Sequence, residues 1–193
     1  MATGNIEIEI KVRVEDEHTL VNFLEKQGTF HGEHHQVDEY YTPAHKDYLA
    51  VRPANEWLRL RTSDGTASIA YKNWHRNSNG TSSYCDGIET GVESFDQLGK
   101  IFDAIDMKSL AVVDKIRKAW HYGEYEIVID AVKDLGTFVE VEYIGTDASV
   151  DADGVVAGMV SFLKETGCGK VERTETGYPF LIMFPEEADF KEI

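Results

Sequence analysis

Four pairs of charged residues, each pair two positions apart, carry most of the chemistry this sequence could perform. They are Glu7 and Glu9, Arg59 and Arg61, Lys115 and Arg117, and Glu140 and Glu142. In an extended chain residues two apart project to the same side, so each pair presents like charges on one strand face. Lys11 extends the first pair, Glu126 and Asp130 share a face later in the chain, and Lys72 ends the run Ser68-Ile69-Ala70-Tyr71-Lys72. Carboxylates without accompanying His or Cys suit a hard cation, Mg2+ or Mn2+, over zinc. Arginine forks and lysine point charges both suit phosphate. If the pairs converge, like charges ~4 Å apart repel by about 4 kcal/mol at an effective dielectric near 20, so ligands must compensate them. A divalent cation would relieve the acids and a polyphosphate the bases. Alternating charge on a strand is also the ordinary mark of a solvated sheet face with cross-strand ion pairs. Strand faces alone leave both readings open.

The elements that must position these groups read as follows. Residues 5–14 alternate strictly, with Ile6, Ile8, Ile10, Val12 and Val14 opposite Glu7, Glu9, Lys11 and Arg13. Helical spacing of Leu20, Phe23 and Leu24 follows, with Gly28 as the stop. Extended stretches are predicted at 30–42, 56–63, 66–73, 84–91, 109–122, 123–132 and 137–146. Ser63-Asp64-Gly65 reads as a hairpin turn, and a second hairpin crosses 133–136. Residues 43–55 read as a loop or short helix, and the polar stretch 76–83 as a loop. Helices are predicted at 94–106, with Ser94 as N-cap, and at 151–166, stopped by Gly167-Cys168-Gly169. An apolar patch at 178–184 precedes an acidic end expected to fray. About eight strands with a few helices make an α+β chain, and eight antiparallel strands can close into a barrel. Closure could put the apolar faces inside, or put the charges in the lumen with the helices covering an apolar exterior.

Bulk composition narrows the class. The 193 residues fit one domain, 42% hydrophobic and 28% charged. No apolar run approaches the ~20 residues of a membrane span. The start, Met-Ala-Thr-Gly-Asn, shows no secretory pattern, and a cytoplasmic location is expected. Cys85 and Cys168 are expected as reduced thiols, which makes the Asn79-Gly80-Thr81 glycosylation triplet irrelevant. A net charge of −16 argues against a nucleic-acid surface. It leaves room for a polyanionic small molecule in a locally cationic site.

On these residues the chain resembles the CYTH superfamily, the triphosphate tunnel metalloenzymes, and within it the class IV adenylyl cyclase branch. The matching residues are Glu7-Ile8-Glu9-Ile10-Lys11, Asp38-Glu39-Tyr40-Tyr41, Leu58-Arg59-Leu60-Arg61, Tyr71-Lys72, Glu89 and Asp114-Lys115-Ile116-Arg117. The block from Ile127 to Glu142 completes the match, with Asp130 and Leu135-Gly136-Thr137-Phe138-Val139-Glu140-Val141-Glu142. The resemblance implies a closed eight-stranded antiparallel tunnel, charges inward and helices outside, formed by one domain over 1–193. It implies Glu7, Glu9, Asp130, Glu140 and Glu142 as ligands of Mg2+ or Mn2+. Lys11, Arg59, Arg61, Lys72, Lys115 and Arg117 are the implied triphosphate grip, with Glu9, Lys72 and Arg117 closest to the chemistry. The implied activity is cyclisation of ATP to cyclic AMP and pyrophosphate, with triphosphatase action on inorganic, thiamine or nucleoside triphosphate as the alternative. A non-catalytic triphosphate sensor is a third reading, and analogy with the branch suggests a homodimer. The family often carries Arg two residues before the acid at Glu89, where this chain has Gly87.

Other residues are expected to be bland. His31, His34 and His35 read as a solvated strand edge, and Lys133 as a solvated turn. Gly167-Cys168-Gly169-Lys170 lacks the spacing of a phosphate loop. Trp57, Trp74 and Trp120 are expected in packing, Trp74 also near the site's mouth, and at most one of Tyr40 and Tyr41 should point inward.

Overall fold

Apolar and charged residues alternate along most of this chain, and in the computed structural model that alternation becomes one large sheet. The structure describes residues 5–76, 82–146 and 150–193. The first strands are β1 (Asn5–Glu7), β2 (Glu9–Val14) and, after helix α1 (Glu17–Gln27), β3 (Thr29–Thr42). Next come β4 (Glu56–Ser63), β5 (Thr66–Arg76) and β6 (Ser82–Val92), then α2 (Phe95–Ala104). The strands β7 (Lys108–Tyr122), β8 (Tyr125–Val132) and β9 (Gly136–Tyr143) form a meander before α3 (Ala152–Glu165). The chain finishes with β10 (Val171–Thr174), α4 (Tyr178–Met183) and β11 (Phe190–Glu192). The loop expected at 76–83, with its Asn79-Gly80-Thr81 triplet, falls largely outside the described residues.

The closed eight-stranded barrel does not form. The sheet has eleven strands in the order β1-β6-β5-β4-β3-β7-β8-β9-β2-β10-β11, with β1 and β11 at its ends. The reason lies at Ile8, where the N-terminal segment changes partners. Residues 5–7 pair with β6, whereas β2 pairs with β9 on one side and β10 on the other. The edge of β2 that closure would require is therefore taken by β10. The acidic end also does not fray, because β11 pairs with β10.

A single continuous segment, 5–14, nevertheless lies beside both β6 and β9. The sheet must curl to allow this, and its two faces become unequal. The outward face is apolar and helix-covered. Ile8, Ile10 and Val12 join Ile127, Ile129, Val139 and Val141 beneath Leu20 and Leu24 of α1 and Met159, Phe162 and Leu163 of α3. Each such fully buried aliphatic side chain contributes about 1.5–3 kcal/mol. Helix α2 sets Phe102 against Tyr41 and Leu60. Ser94 caps α2 as the sequence suggests, its side chain accepting from Gln97 N (3.2 Å), and Asp16 caps α1 by accepting from Thr19 N (3.0 Å). The β4–β5 turn holds Asp64 and Gly65 at φ 47° and 84°, the left-handed pair that matches strand twist. The alternates of the outward apolar residues face the concave side, where Trp57, Val113, Val132 and Phe138 form a second apolar cluster with Tyr178 and Phe180.

Candidate active site

That concave side encloses a cavity of about 290 Å³, into which strands from β1 to β10 project. Ten of the eleven residues named above as metal ligands or triphosphate grip line it, Glu7, Glu9, Lys11, Arg59, Arg61, Lys72, Lys115, Arg117, Glu140 and Glu142, and Glu89 lines it as well. Asp130, the remaining one, lies behind the wall and is fully buried. Tyr40 faces inward and Tyr41 outward, as alternation requires.

The basic groups are held in place by acids. Asp130 accepts from Lys115 Nζ (2.9 Å), from Arg117 Nε (2.7 Å) and Nη2 (2.5 Å), and from the Tyr178 hydroxyl (2.9 Å). Burial favours the neutral acid, yet Arg117 and Lys115 hold the Asp130 carboxyl below its usual range. Arg117 also donates to Glu140 (2.5 Å), which lies 3.2 Å from Lys11 Nζ. Burial opposes charge on Glu140 too, but Arg117 and Lys11 keep it well below the usual range. Lys115 is the exception: burial, then the neighbouring Arg117 charge, push its ammonium down to about 8. A second buried fork joins Arg61 to Asp38, Nε to Oδ1 at 2.6 Å and Nη2 to Oδ2 at 2.7 Å. Arg59 pairs with Glu89 (3.1 Å), itself bonded by Ser68 Oγ (2.8 Å), so Glu89 orients a cation. Arg59 Nε is buried without a partner among the described residues. Lys72 pairs with Glu7.

Two acids are left over. Glu9 and Glu142 stand opposite each other on β2 and β9, and among the described residues neither has an ion-pair or hydrogen-bond partner. Burial, then Glu9 and Glu7, push Glu142 up to about 8. Burial likewise raises Glu9; Lys72 opposes this, and Glu140 and Glu7 add to it. An unsatisfied carboxylate pair of this kind is what a hard divalent cation relieves. Among the described residues no three His, Cys, Asp or Glu side chains already close on one point. Magnesium needs no such cage, since it keeps several waters and takes one or two carboxylates together with substrate phosphates. The donor set fits.

Two site residues had no role in the sequence reading. Asp38 carries no visible signal beyond its place in Asp38-Glu39-Tyr40-Tyr41, and its alternation with Val37 could have placed it inward. Tyr178, delivered by α4, lies under Lys11 Nζ, 3.9 Å from the ring centroid, and 5.0 Å from Lys115 Nζ. Trp57 and Trp74 line the same cavity, whereas Trp120 packs on the outer face. The histidines do not join the site. His34 pairs with Asp64 (2.6 Å) and His35 with Asp114 (2.7 Å), while His31 stacks on His121. Cys85 and Cys168 are free and buried, and no helix among the described residues is long and apolar enough to cross a membrane.

With the geometry in place, comparison with known proteins decides the family. The CYTH domain profile matches residues 5–178. The chain belongs to the CYTH family. A relative named "Putative adenylate cyclase MJ0240", from Methanocaldococcus jannaschii, is 31% identical over 166 residues, covering 86% of this chain and 91% of its own. Among solved structures, the PH1819 protein of Pyrococcus horikoshii shares the fold at a TM-score of 0.75 with 21% identity, covering 93% of this chain and 99% of that one. A Hippeastrum protein, named "Putative adenylyl cyclase HpAC1" and described as having a dominant triphosphatase activity, shares it at 0.61 with 20% identity, covering 93% and 95%.

Proposed function

We propose that this CYTH protein is a metal-dependent enzyme acting on triphosphates, with cyclisation of ATP to cyclic AMP and pyrophosphate as its reaction. The carrying observation is that Lys11, Arg59, Arg61, Lys72, Lys115 and Arg117 line one cavity together with Glu9 and Glu142, a carboxylate pair without an ion-pair partner among the described residues. Lys11, Arg59, Arg61, Lys72, Lys115 and Arg117 form the triphosphate grip, each held by an acid so that little reorganisation accompanies binding. A Mg2+ or Mn2+ ion held by Glu9 and Glu142, with Glu7, Glu140 and Asp130 completing the acidic set, would neutralise phosphate charge and lower the pKa of the attacking hydroxyl. In the cyclase reaction the ribose 3′-hydroxyl releases its proton to solvent, its oxygen bonds to the α-phosphorus, and the bond from that phosphorus to the α,β-bridging oxygen breaks. Pyrophosphate leaves with the electron pair. Arg117 and Lys72 face the charge that develops on the phosphoryl oxygens.

The same grip supports hydrolysis if the terminal phosphorus, rather than the α-phosphorus, lies in line with the nucleophile. The activity described for the Hippeastrum protein favours that second reading. Incubation with ATP and Mn2+ or Mg2+ separates them: cyclic AMP with pyrophosphate is the expected product, and orthophosphate would support the triphosphatase. Glu9→Ala and Arg61→Ala are each expected to abolish turnover. Undiminished turnover in both variants would overturn the site.

A further inference from the structure

The Glu7–Lys72 ion pair crosses a gap in the sheet's inner face, and the gap is a glycine. Gly87 on β6 pairs with Lys72 on β5 and with Asn5 on β1. Glu7 itself pairs with Cys85. To reach Lys72, the Glu7 side chain must therefore lean diagonally over position 87. It does so at close range. A Cβ built on Gly87 would lie 3.1 Å from Glu7 Cδ and closer still to Oε1, with no other heavy atom outside Glu7 among its nearest neighbours. Gly87 does not have the left-handed backbone that would by itself demand glycine. Its neighbours Cys85 and Glu89, on the same face of β6, carry full side chains. The missing side chain serves the Glu7 carboxylate, not the strand.

We propose that Gly87 is a positioning residue: its empty side-chain space holds Glu7 on Lys72 and so fixes the partly buried ammonium at one end of the cation set. The consequence for ligand binding rests on the triphosphate reading given above; the positioning itself does not. A methyl group at 87 meets only the movable end of one side chain, so the G87A variant keeps its sheet but drives the Glu7 carboxylate off Lys72. In an E7A background the same methyl group meets nothing closer than 3.8 Å.

The test is a double-mutant cycle over wild type, G87A, E7A and G87A/E7A. Thermal unfolding reads the positioning without any ligand. G87A lowers the melting temperature in the wild-type background, and in E7A leaves it unchanged or raises it, since alanine is better tolerated than glycine within a strand. Calorimetric titration with inorganic tripolyphosphate in Mg2+ then reads the consequence. Affinity falls about tenfold on G87A in the wild type and less than about twofold in E7A, the scale of coupling between residues in contact. Equal effects of G87A in both backgrounds, or none in either, would overturn the proposal. If no variant binds tripolyphosphate, the functional reading fails, while the sign change in melting temperature still decides the role of Gly87.

Discussion

Removing the Asp38 charge tests whether the cavity's cations depend on their buried counter-ions. Asp38 is fully buried, and both its oxygens accept from Arg61, whose side chain is 13% exposed. In the D38N variant Arg61 keeps its charge, because guanidinium does not deprotonate, but loses its fork partner in a poorly solvated place. Breaking a buried pair by deleting one member costs about 3–5 kcal/mol, chiefly from the charge left behind. For a chain of this size each kcal/mol moves the melting temperature by roughly 2–4 °C, so a fall on the order of 10 °C is expected. Removing both members is different in kind. D38L/R61M replaces two charges with apolar groups of similar length, and such swaps are often neutral. The double variant should therefore melt near wild type while binding tripolyphosphate poorly. Added tripolyphosphate offers Arg61 a new counter-ion, so it should raise the melting temperature of D38N by more than that of wild type. Differential scanning calorimetry with and without tripolyphosphate reads all three. A D38N variant within about 1 kcal/mol of wild type, or a double variant as unstable as the single, would refute the reasoning.

The unpaired acids make a pH-dependent prediction. Glu142 has a folded-state pKa raised to about 8, so its protonated form favours the fold; that contribution is present at low pH and lost as pH rises through about 8. Metal-free E142Q should be more stable than wild type, by a margin that grows from acidic pH to about 8 and then levels; denaturation in a chelator from pH 6 to 9 measures it, and a margin independent of pH would count against the assignment. Lys115, depressed to about 8, should lose its charge and its share of the phosphate grip as pH rises past that value. In an E142Q background, tripolyphosphate affinity should fall between pH 7 and 9.5, whereas adding K115R should flatten the profile; parallel curves would show that Lys115 is not the group titrating.

Much of this arrangement is legible in the chain because strand faces obey a period of two. Ile6 to Val14 fixes which side of the N-terminal segment carries Glu7, Glu9 and Lys11, and the same parity places Arg59, Arg61, Lys115 and Arg117. The helices at 17–27, 95–104 and 152–165 declare themselves by their apolar stripes and caps. What stays hidden is short or distant. Val171-Glu172-Arg173-Thr174 has too few residues to show a period, yet it takes the edge of β2 and thereby decides that the sheet stays open. Tyr178 looks like part of an ordinary apolar patch until α4 carries it to Asp130, 48 residues away in sequence.

The division of labour among the acids is the least legible feature, because residue type and spacing treat Glu140 and Glu142 alike. Register separates them. Strand β9 sets Glu140 opposite Lys11 and Glu142 opposite Glu9, so one carboxylate receives a cation and its neighbour two residues on receives a like charge. On the other side of β9, Glu142 faces Glu126 and gains no relief there. Burial raises both carboxyls; Arg117 and then Lys11 nevertheless hold Glu140 well below its usual range, whereas Glu142, with Glu9 opposite, is pushed up to about 8. A shift of two positions between β2 and β9 would keep every charge on the inner face and still move Lys11 from Glu140 to the other acid of the pair. The apolar faces would be satisfied either way, since Val139, Val141, Ile10 and Val12 have similar shapes. The Lys11–Glu140 ion pair and the facing carboxylates Glu9 and Glu142 are therefore set by one and the same alignment, that of β2 with β9.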